Sequence, residues 1–505
     1  MALAFAALGL SPASALALDA EVTADTAAQA YSLRSPFGEP ILYRRRITQT
    51  LGLGVYNLLE SERPGGPQLF VKLRMRFDAD FGVESNETQY NRADGDSRFV
   101  PGLREAPLDL MYGYVEGRNL LGGWLGFRLG RQYVTDALGW WSFDGGMVRL
   151  TAPYVHVEAY GGFEQRGGLP LSTGRFEQNG AWRGDRKAAL DGAPDVFPMF
   201  QRAKMAPAVG IGLESAGPTW IHGRFDYRKV WNRGVVTTSP FADGTGRLAT
   251  LDETRTSSER LGYALDATVL DYGGVRGGLV YDLYNTLFSS WYGSIDGYVT
   301  QRLTVSAEYD YFKPTFDGDS IFNWFTHSAI TTAQLRAAWS VTDRFDVAGS
   351  GGVRWWETDE DPDTSTLPNS DRNTGRALSD PETKSAARLR DWLGSANARY
   401  RWETGRGGLR GVLETGERGH RKGVDLSGEK YLSSGKYLVE ARGSLFDWKD
   451  ELRPDRSATS FGYVLGAGWR PSPLANMMLE WEHNTNRIVG QRYRVLALVN
   501  LLVTK

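Results

Sequence analysis

The chain is 505 residues long and carries 58 Lys and Arg against 60 Asp and Glu, a formal net charge of -2, with no cysteine. The near-balance excludes a global attraction to nucleic acid, and the missing thiols exclude disulfides, thiol catalysis and cysteine-ligated zinc. A mean hydropathy of -0.38, with no run of about 18 apolar residues beyond the N-terminus, excludes a bundle of spanning helices, whereas 60 Gly, 16 Trp and 23 Tyr suit an all-β protein with aromatic girdles.

Residues 1–17, MALAFAALGLSPASALA, read as a secretory h-region running into small-residue cleavage sites at Ala13-Ser14-Ala15 or Ala15-Leu16-Ala17. The usual Lys or Arg before the apolar run is missing, so the expected start of the leader lies upstream. Residues 18–505 are expected to form one β-barrel.

From there the informative signal is a period of two. In Gln68–Gly82, Leu69, Val71, Leu73, Met75 and Phe77 share one parity; Lys72, Arg74, Arg76 and Asp78 share the other. In 122–146, Leu125, Phe127 and Leu129 oppose Arg128, Gly130 and Gln132, while Arg131 has the apolar parity. Two placements fit Arg131: an interfacial position from which it snorkels, or a bulge at Gly130 that turns it inward. Leu303–Tyr311 sets Leu303, Val305, Ala307 and Tyr309 against Ser306, Glu308 and Asp310. Trp392–Trp402 and Asn476–Asn484 alternate in the same way.

About twenty such segments occur, most of them about 9–14 residues long, the length of a tilted strand crossing a bilayer. Short turns alternate with long polar stretches at 84–106, 167–207, 234–257, 313–326 and 359–387. Aromatics gather at segment ends, at Trp140-Trp141, Trp355-Trp356 and Tyr400/Trp402, where interfacial belts belong. A soluble sandwich alternates too, with its apolar side inward, but its strands are shorter. The expectation is a transmembrane antiparallel β-barrel of about 18–20 strands in the bacterial outer membrane, with long extracellular loops and a lumen lined by the polar parity.

That parity gathers Arg46, Lys72, Arg74, Arg76, Asp78, Arg128, Gln132, Arg224, Asp226, Arg228, Glu308, Asp310, Arg336, Arg399, Arg401, Arg442 and Glu480. The set leans basic and favours Arg, whose planar fork grips carboxylates and phosphates and keeps its charge. Such a lining attracts anions; solvated cross-strand ion pairs are the plainer reading of the same residues.

Four stretches carry a family cadence: YGYVEGRN (112–119), GFRLGRQYV (126–134), WWSFDGG (140–146) and HVEAYGGFEQR (156–166). Together they resemble the alginate-export family of outer-membrane barrels, with Arg128, Gly130, Arg131 and Gln132 at the motif positions. The resemblance spans about an eighth of the chain. It implies an 18-stranded, Arg-lined channel for an anionic polysaccharide, gated by loops. The chain departs from many barrels in ending VLALVNLLVTK, without a terminal aromatic.

No G-x-S-x-G, H-E-x-x-H, Walker A or dinucleotide fingerprint is present. Ser433-x-x-Lys436 lies in a turn, so no enzyme and no cofactor is expected. Asp317-Gly318-Asp319 and Asp359–Asp363 supply hard oxygens of the kind calcium takes, though solvated loop charges are the plainer reading. The loop FKPTFDGDSIFNWFTH (312–327) holds Phe316, Phe322, Trp324 and Phe325, apolar side chains that need somewhere to go; an inward plug and an anchor in lipid headgroups are the two readings. The function expected is passive passage or export of an anionic solute, a polysaccharide foremost. The competing expectation is a structural barrel of a secretion or motility machine with a plugged lumen. The partners implied are outer-membrane lipid, an anionic polysaccharide and periplasmic export or envelope proteins.

Overall fold

The computed structural model describes residues 19–59, 65–80, 108–165, 206–237, 250–269, 272–315, 329–357, 388–451 and 457–504; the side chains at 44, 78–80, 108–109, 232–237, 250–253, 255 and 388 lie outside the description. In chain order the strands are β1 (Asp19–Arg34), β2 (Pro40–Tyr56), β3 (Gln68–Asp80), β4 (Leu108–Asn119), β5 (Leu125–Asp136), β6 (Gly139–Thr151), β7 (Val155–Glu164) and β8 (Ala206–Ser215). They continue as β9 (Ile221–Thr237), β10 (Thr250–Val269), β11 (Gly273–Asp282), β12 (Leu287–Thr300), β13 (Leu303–Phe312), β14 (Ile330–Ser340) and β15 (Phe345–Glu357). The last are β16 (Arg388–Trp402), β17 (Gly405–Gly416), β18 (Gly419–Leu432), β19 (Tyr437–Asp450), β20 (Ser457–Ser472), β21 (Ala475–Asn486) and β22 (Gly490–Thr504).

Each strand pairs antiparallel with the next, and β1 pairs with β22 from Glu21↔Thr504 to Arg34↔Gln491. The sheet therefore closes into a 22-stranded barrel. At about 4.8 Å per strand and a tilt of about 40°, a circular ring of this number is roughly 40 Å across at the backbone.

The connections sort cleanly by rim. On the rim that carries both Asp19 and Thr504, the longest link among the described strands is 57–67, and most are tight turns such as 301–302, 403–404 and 473–474. On the other rim lie all of the long ones: 81–107, 165–205, 238–249, 313–329 and 358–387. Burial is inverted relative to a soluble fold. Leu129, Leu335 and Leu426 are 55%, 63% and 62% exposed, while Glu158, Asp226, Asp282, Glu440 and Glu482 are buried. The apolar parity thus faces outward and the polar parity inward, which is stable only against hydrocarbon. A closed antiparallel barrel with this exterior, tight turns on one rim and long connections on the other is an outer-membrane barrel.

Two expectations need correction. The strand number is 22, above the 18–20 expected and above the 18 that the family resemblance implies. The segments overlooked are β8 and β18. The inward parity of β8 reads Ala206, Ala208, Gly210, Gly212 because neighbours cover it: a Cβ on Gly210 would lie 2.1 Å from the Tyr160 ring. With no polar residue on that side before Glu214 near the strand's end, the alternation has little contrast. In β18 the outward parity starts with His420 and Lys422, so the contrast is spoiled from the other side. The loop expected at 234–257 is also shorter, since β9 runs to Thr237 and β10 begins at Thr250.

If the outward parity meets acyl chains, Leu335→Arg at mid-strand should cost about 2–4 kcal/mol, read as a lowered urea midpoint in lipid vesicles. Ala338→Arg, three residues on and on the inward parity, should change the midpoint little; equal losses would contradict the assignment of faces.

Candidate functional site in the barrel lumen

One hairpin leaves the wall. β5 pairs with β4 only over Phe127–Arg131, and β6 pairs with β7 only from Phe143 onward. Residues 133–142 pair in register only with each other, the Ser142 carbonyl alone reaching the Gln165 amide of the next strand's end. The departure is built on glycine. Gly130 has φ +126°, a left-handed value, and a Cβ there would sit 2.3 Å from the Gly113 carbonyl oxygen. Where β6 and β7 part, Gly145 and Gly162 bring backbones so close that a Cβ on either would fall 2.2 Å from a carbonyl oxygen. At the same point Arg131 forks onto Asp144, with Nε–Oδ1 2.7 Å and Nη2–Oδ2 2.8 Å, and its Nη1 donates to the Leu110 carbonyl at 2.9 Å. The register stays one-to-one through Gly130, so no bulge turns Arg131 inward. Its outward parity is met by its own counterion.

The tip lies across the inner face of β7–β10. The Ala137 amide donates to Asp226 Oδ2 at 2.9 Å, Asp136 is 3.5 Å from Arg228, and Leu138 occupies the space a Cβ on Gly262 would need. The Arg228 guanidinium lies 4.9 Å over Trp141. Trp141 stacks on Phe143 at 4.8 Å, and Phe143 meets Tyr160 at 5.4 Å. With Val134, Met147, Ala206, Ala208 and Val230 they form a dry core inside the barrel. Trp141 therefore belongs to the interior, not to a belt, and Trp356 also turns inward, donating Nε1 to Asp391 at 2.6 Å. Tyr400 and Trp402 do keep the outward parity at the turn rim.

This hairpin changes the standing of several lumen residues. Gln132 is fully buried and donates to the Gly145 carbonyl at 3.0 Å, so it does not meet pore water. Asp226 and Arg228 are buried beneath the tip, and Arg76 is buried on β3. Arg224 is tied to Glu158 at 2.9 Å, Asp226 at 2.9 Å and Glu214 at 3.3 Å. Asp78 lies in β3, outside the described side chains, and Phe316, Phe322, Trp324 and Phe325 lie outside the described residues altogether. The same holds for Asp317, Asp319, 359–363 and the leader.

The remaining residues point inward, and most pair with a carboxylate, across strands or, for Arg442, along its own strand. Arg46 faces Gln29 across β1 and β2, and Arg74 meets Asp25 at 2.6 Å. Arg128 meets Glu116 at 3.0 Å, and Arg336 meets Glu308 at 2.9 Å. Arg401 and Arg399 share Asp346, at 2.9 Å and 3.7 Å. Arg442 meets Glu440 at 3.1 Å. Arg492 and Arg494 share Glu482. Lys72 is held over Tyr56 at 5.4 Å and Phe70 at 5.6 Å. Asp310 and Glu480 have the inward parity and no ion pair among the described residues.

Several of these pairs share an orientation, whereas Arg74 and Asp25 are exposed alike, 31% and 37%. Arg442 is 60% exposed against 7% for Glu440, and Arg492 51% against 8% for Glu482. Arg406 with Glu429, Arg276 with Asp296 and Arg401 with Asp346 repeat the pattern. The cause is length: the short carboxylate stays at the wall, while the long Arg stem carries its fork toward water. Sequence reasoning named most of these arginines but missed Arg276 and Arg406, and it missed Asp25, Glu116, Asp136, Glu214 and Asp346, whose roles depend on register.

No family model matches the chain and no curated protein does. Solved structures of barrels do, at low identity. OccAB1 of Acinetobacter baumannii is 8% identical over 97% of both chains with a TM-score of 0.41. OpdK of Pseudomonas aeruginosa, crystallised with vanillate, is 8% identical over 97% of this chain and 99% of its own, with a TM-score of 0.42. OccK7 (OpdD) of the same organism is 9% identical over 97% and 99%, with a TM-score of 0.41.

Asp136→Ala leaves Arg228 buried without its carboxylate and should cost about 3–5 kcal/mol, read from the urea midpoint. Replacing 132–142 by an Asn-Gly turn should raise single-channel conductance in planar bilayers; an unchanged conductance would show that the hairpin does not narrow the bore.

Proposed function

We propose that the protein is a passive outer-membrane channel for anionic solutes, acidic polysaccharide among them. One observation carries this reading: several lumen pairs, Arg442–Glu440, Arg492–Glu482, Arg406–Glu429, Arg276–Asp296 and Arg401–Asp346, turn the guanidinium fork toward the bore and the carboxylate toward the wall. Formal charge within such a pair cancels, yet an ion moving along the axis meets its positive end first. Exposed pairs of this kind contribute little to stability, so stability is a weak reason for the repeated arrangement. At a surface facing water they act through the local potential, which raises the concentration of the favoured sign. Arg forks also grip carboxylate and phosphate at two points. Loose, solvated gripping at many sites suits passage, since entry must be favourable and release easy.

A structural barrel with a filled lumen is the second reading, favoured by the dry packing of the β5–β6 hairpin on β7–β10. Conductance separates the two. The purified protein in planar bilayers under a salt gradient should show steady conductance with a reversal potential of anion-preferring sign. Replacing Arg399, Arg401 and Arg442 together by Glu should move that potential toward cation preference. A closed barrel supports the structural reading, and a conducting variant with unchanged selectivity removes the anion claim.

A further inference from the structure

We infer that the outward face of β17–β19 holds a binding site for a phosphorylated glycolipid of the outer leaflet, with the phosphate at Lys422 and His420 and an acyl chain laid in a groove over Gly411, Gly443 and Gly428. The site lies on the lipid side of the wall and is independent of what the bore conducts.

The glycines point to it first. A glycine inside a strand weakens the strand, and its usual reasons are a left-handed backbone, a crowded Cβ position or the close approach of another body. Among the described strands, four glycines lack the first two reasons. Gly293, Gly411, Gly428 and Gly443 have no left-handed φ, and a Cβ on any of them would meet nothing within 4 Å. Three of the four lie together. Gly411 pairs with Val424, Gly443 with Leu426 and Gly428 with Ala441, so all three share the outward parity of the exposed Leu426. A groove of about 630 Å³ opens here, lined by Gly394, Ala396, Gly411, Leu413, Val424 and Leu445, with Lys422, Asp447 and Thr459 at one end. Gly443 and Gly428 continue the small-residue surface beyond it toward the turn rim.

Height fixes the two ends. Asp447 stands ten residues along β19 from Tyr437, about 26 Å along the barrel axis at about 3.4 Å per residue and a tilt of about 40°. An outward apolar band is roughly 25 Å tall. Tyr437 and Trp469, paired in register and both exposed, therefore mark the interface at the turn rim. The row Lys422, Asp447, Thr459 marks the other, on the rim of long connections, which is the extracellular one. Gly428 lies about 16 Å below Lys422, past the middle of the band. A lipid with its head at this row would lay its chain along the glycines.

The upper end suits a phosphate. Asp447 gathers its neighbours, with His420 Nε2 at 3.0 Å, Lys422 Nζ at 3.5 Å and the Thr459 hydroxyl donating at 3.2 Å. Lys422 is 58% exposed, and an ammonium with one carboxylate contact keeps donors to give. Lys449, in the row above, is paired with Glu451 at 2.5 Å. Arg390, outward on β16, forms no ion pair among the described residues. Arg418 and Glu417 in the turn above cancel, so fixed cations exceed carboxylates even before His420 is counted. A second copy of the chain is the other body that small residues admit. Leu413, Leu426 and Leu445 argue against it: they stand exposed among the glycines as ridges, a relief that a narrow chain follows and a flat barrel wall does not.

The test uses the purified full-length protein in detergent, with bisphosphorylated hexa-acyl lipid A as probe and its dephosphorylated form as comparator, read by native mass spectrometry over a concentration series. One lipid A should bind per barrel at concentrations where the dephosphorylated form stays unbound. Gly411→Trp puts a ring in the chain's place at an unobstructed position and should weaken binding about tenfold. Gly293→Trp, equally open on the outward face of β12, should leave it unchanged. Lys422→Gln should weaken binding about tenfold, the loss expected for one charge-assisted hydrogen bond. Gly443→Leu is an independent groove variant should Gly411→Trp prevent folding, which heat-modifiable mobility on gels reports. Equal binding by the Gly411→Trp and Gly293→Trp proteins means annular lipid only and overturns the site. So does equal binding of the dephosphorylated lipid, or no binding of lipid A at all. A dimer that Gly411→Trp separates into monomers assigns the groove to a second copy and overturns the lipid as its occupant.

Discussion

Every backbone N–H and C=O that enters hydrocarbon must find a partner within the protein, because no water is there to accept or donate. That constraint makes β1 pair with β22 along nearly its whole length. It also fixes the meaning of each side chain. Once the sheet is closed, a residue faces either acyl chains or the bore, and a one-residue slip in register would exchange the two everywhere. The buried carboxylates and exposed leucines are consequences of closure.

The hairpin shows how the same rule is met where a strand leaves the wall. When β5 departs, β4 loses a partner, and the Leu110 carbonyl is taken up by Arg131 instead. Gln132 donates to the Gly145 carbonyl, and the Ser142 carbonyl accepts the Gln165 amide. Glycines supply the approach and the left-handed turn that larger residues deny. The outcome is a tongue with two unlike faces. One packs dry on β7–β10, anchored through Asp136, Arg228 and Asp226. The other carries Tyr133 and Trp140 toward the aromatic inner wall of β4.

Charge in the bore follows from side-chain length. In pairs such as Arg442–Glu440 and Arg492–Glu482 the carboxylate sits at the wall and the guanidinium reaches inward. The arrangement keeps the cost of burying carboxylates low, since Glu440, Glu482 and Glu116 each retain an arginine within contact distance. On the proposed reading, the water-facing half of the same pairs would set the sign of the ion that the bore favours.

The period of two was enough, by itself, to determine the architecture: an all-β barrel, apolar outside and polar inside, with its long connections on one rim. Lys72, Arg74 and Arg128, and Arg336, Arg399 and Arg442, stand on the inward parity of their strands, because parity alone assigns a face once the strand is known. Parity says nothing about curvature, so it read Gln132 and Trp141 as if β5 and β6 followed the wall. The tertiary structure decided that they do not. It also decided the strand number, since β8 is small-residued where Tyr160 from the neighbouring β7 lies over it. Which carboxylate meets which arginine, and which rings touch across strands, depend on register and on the inward bend of one hairpin; these join residues distant in sequence, and alternation along a single strand carries no record of them.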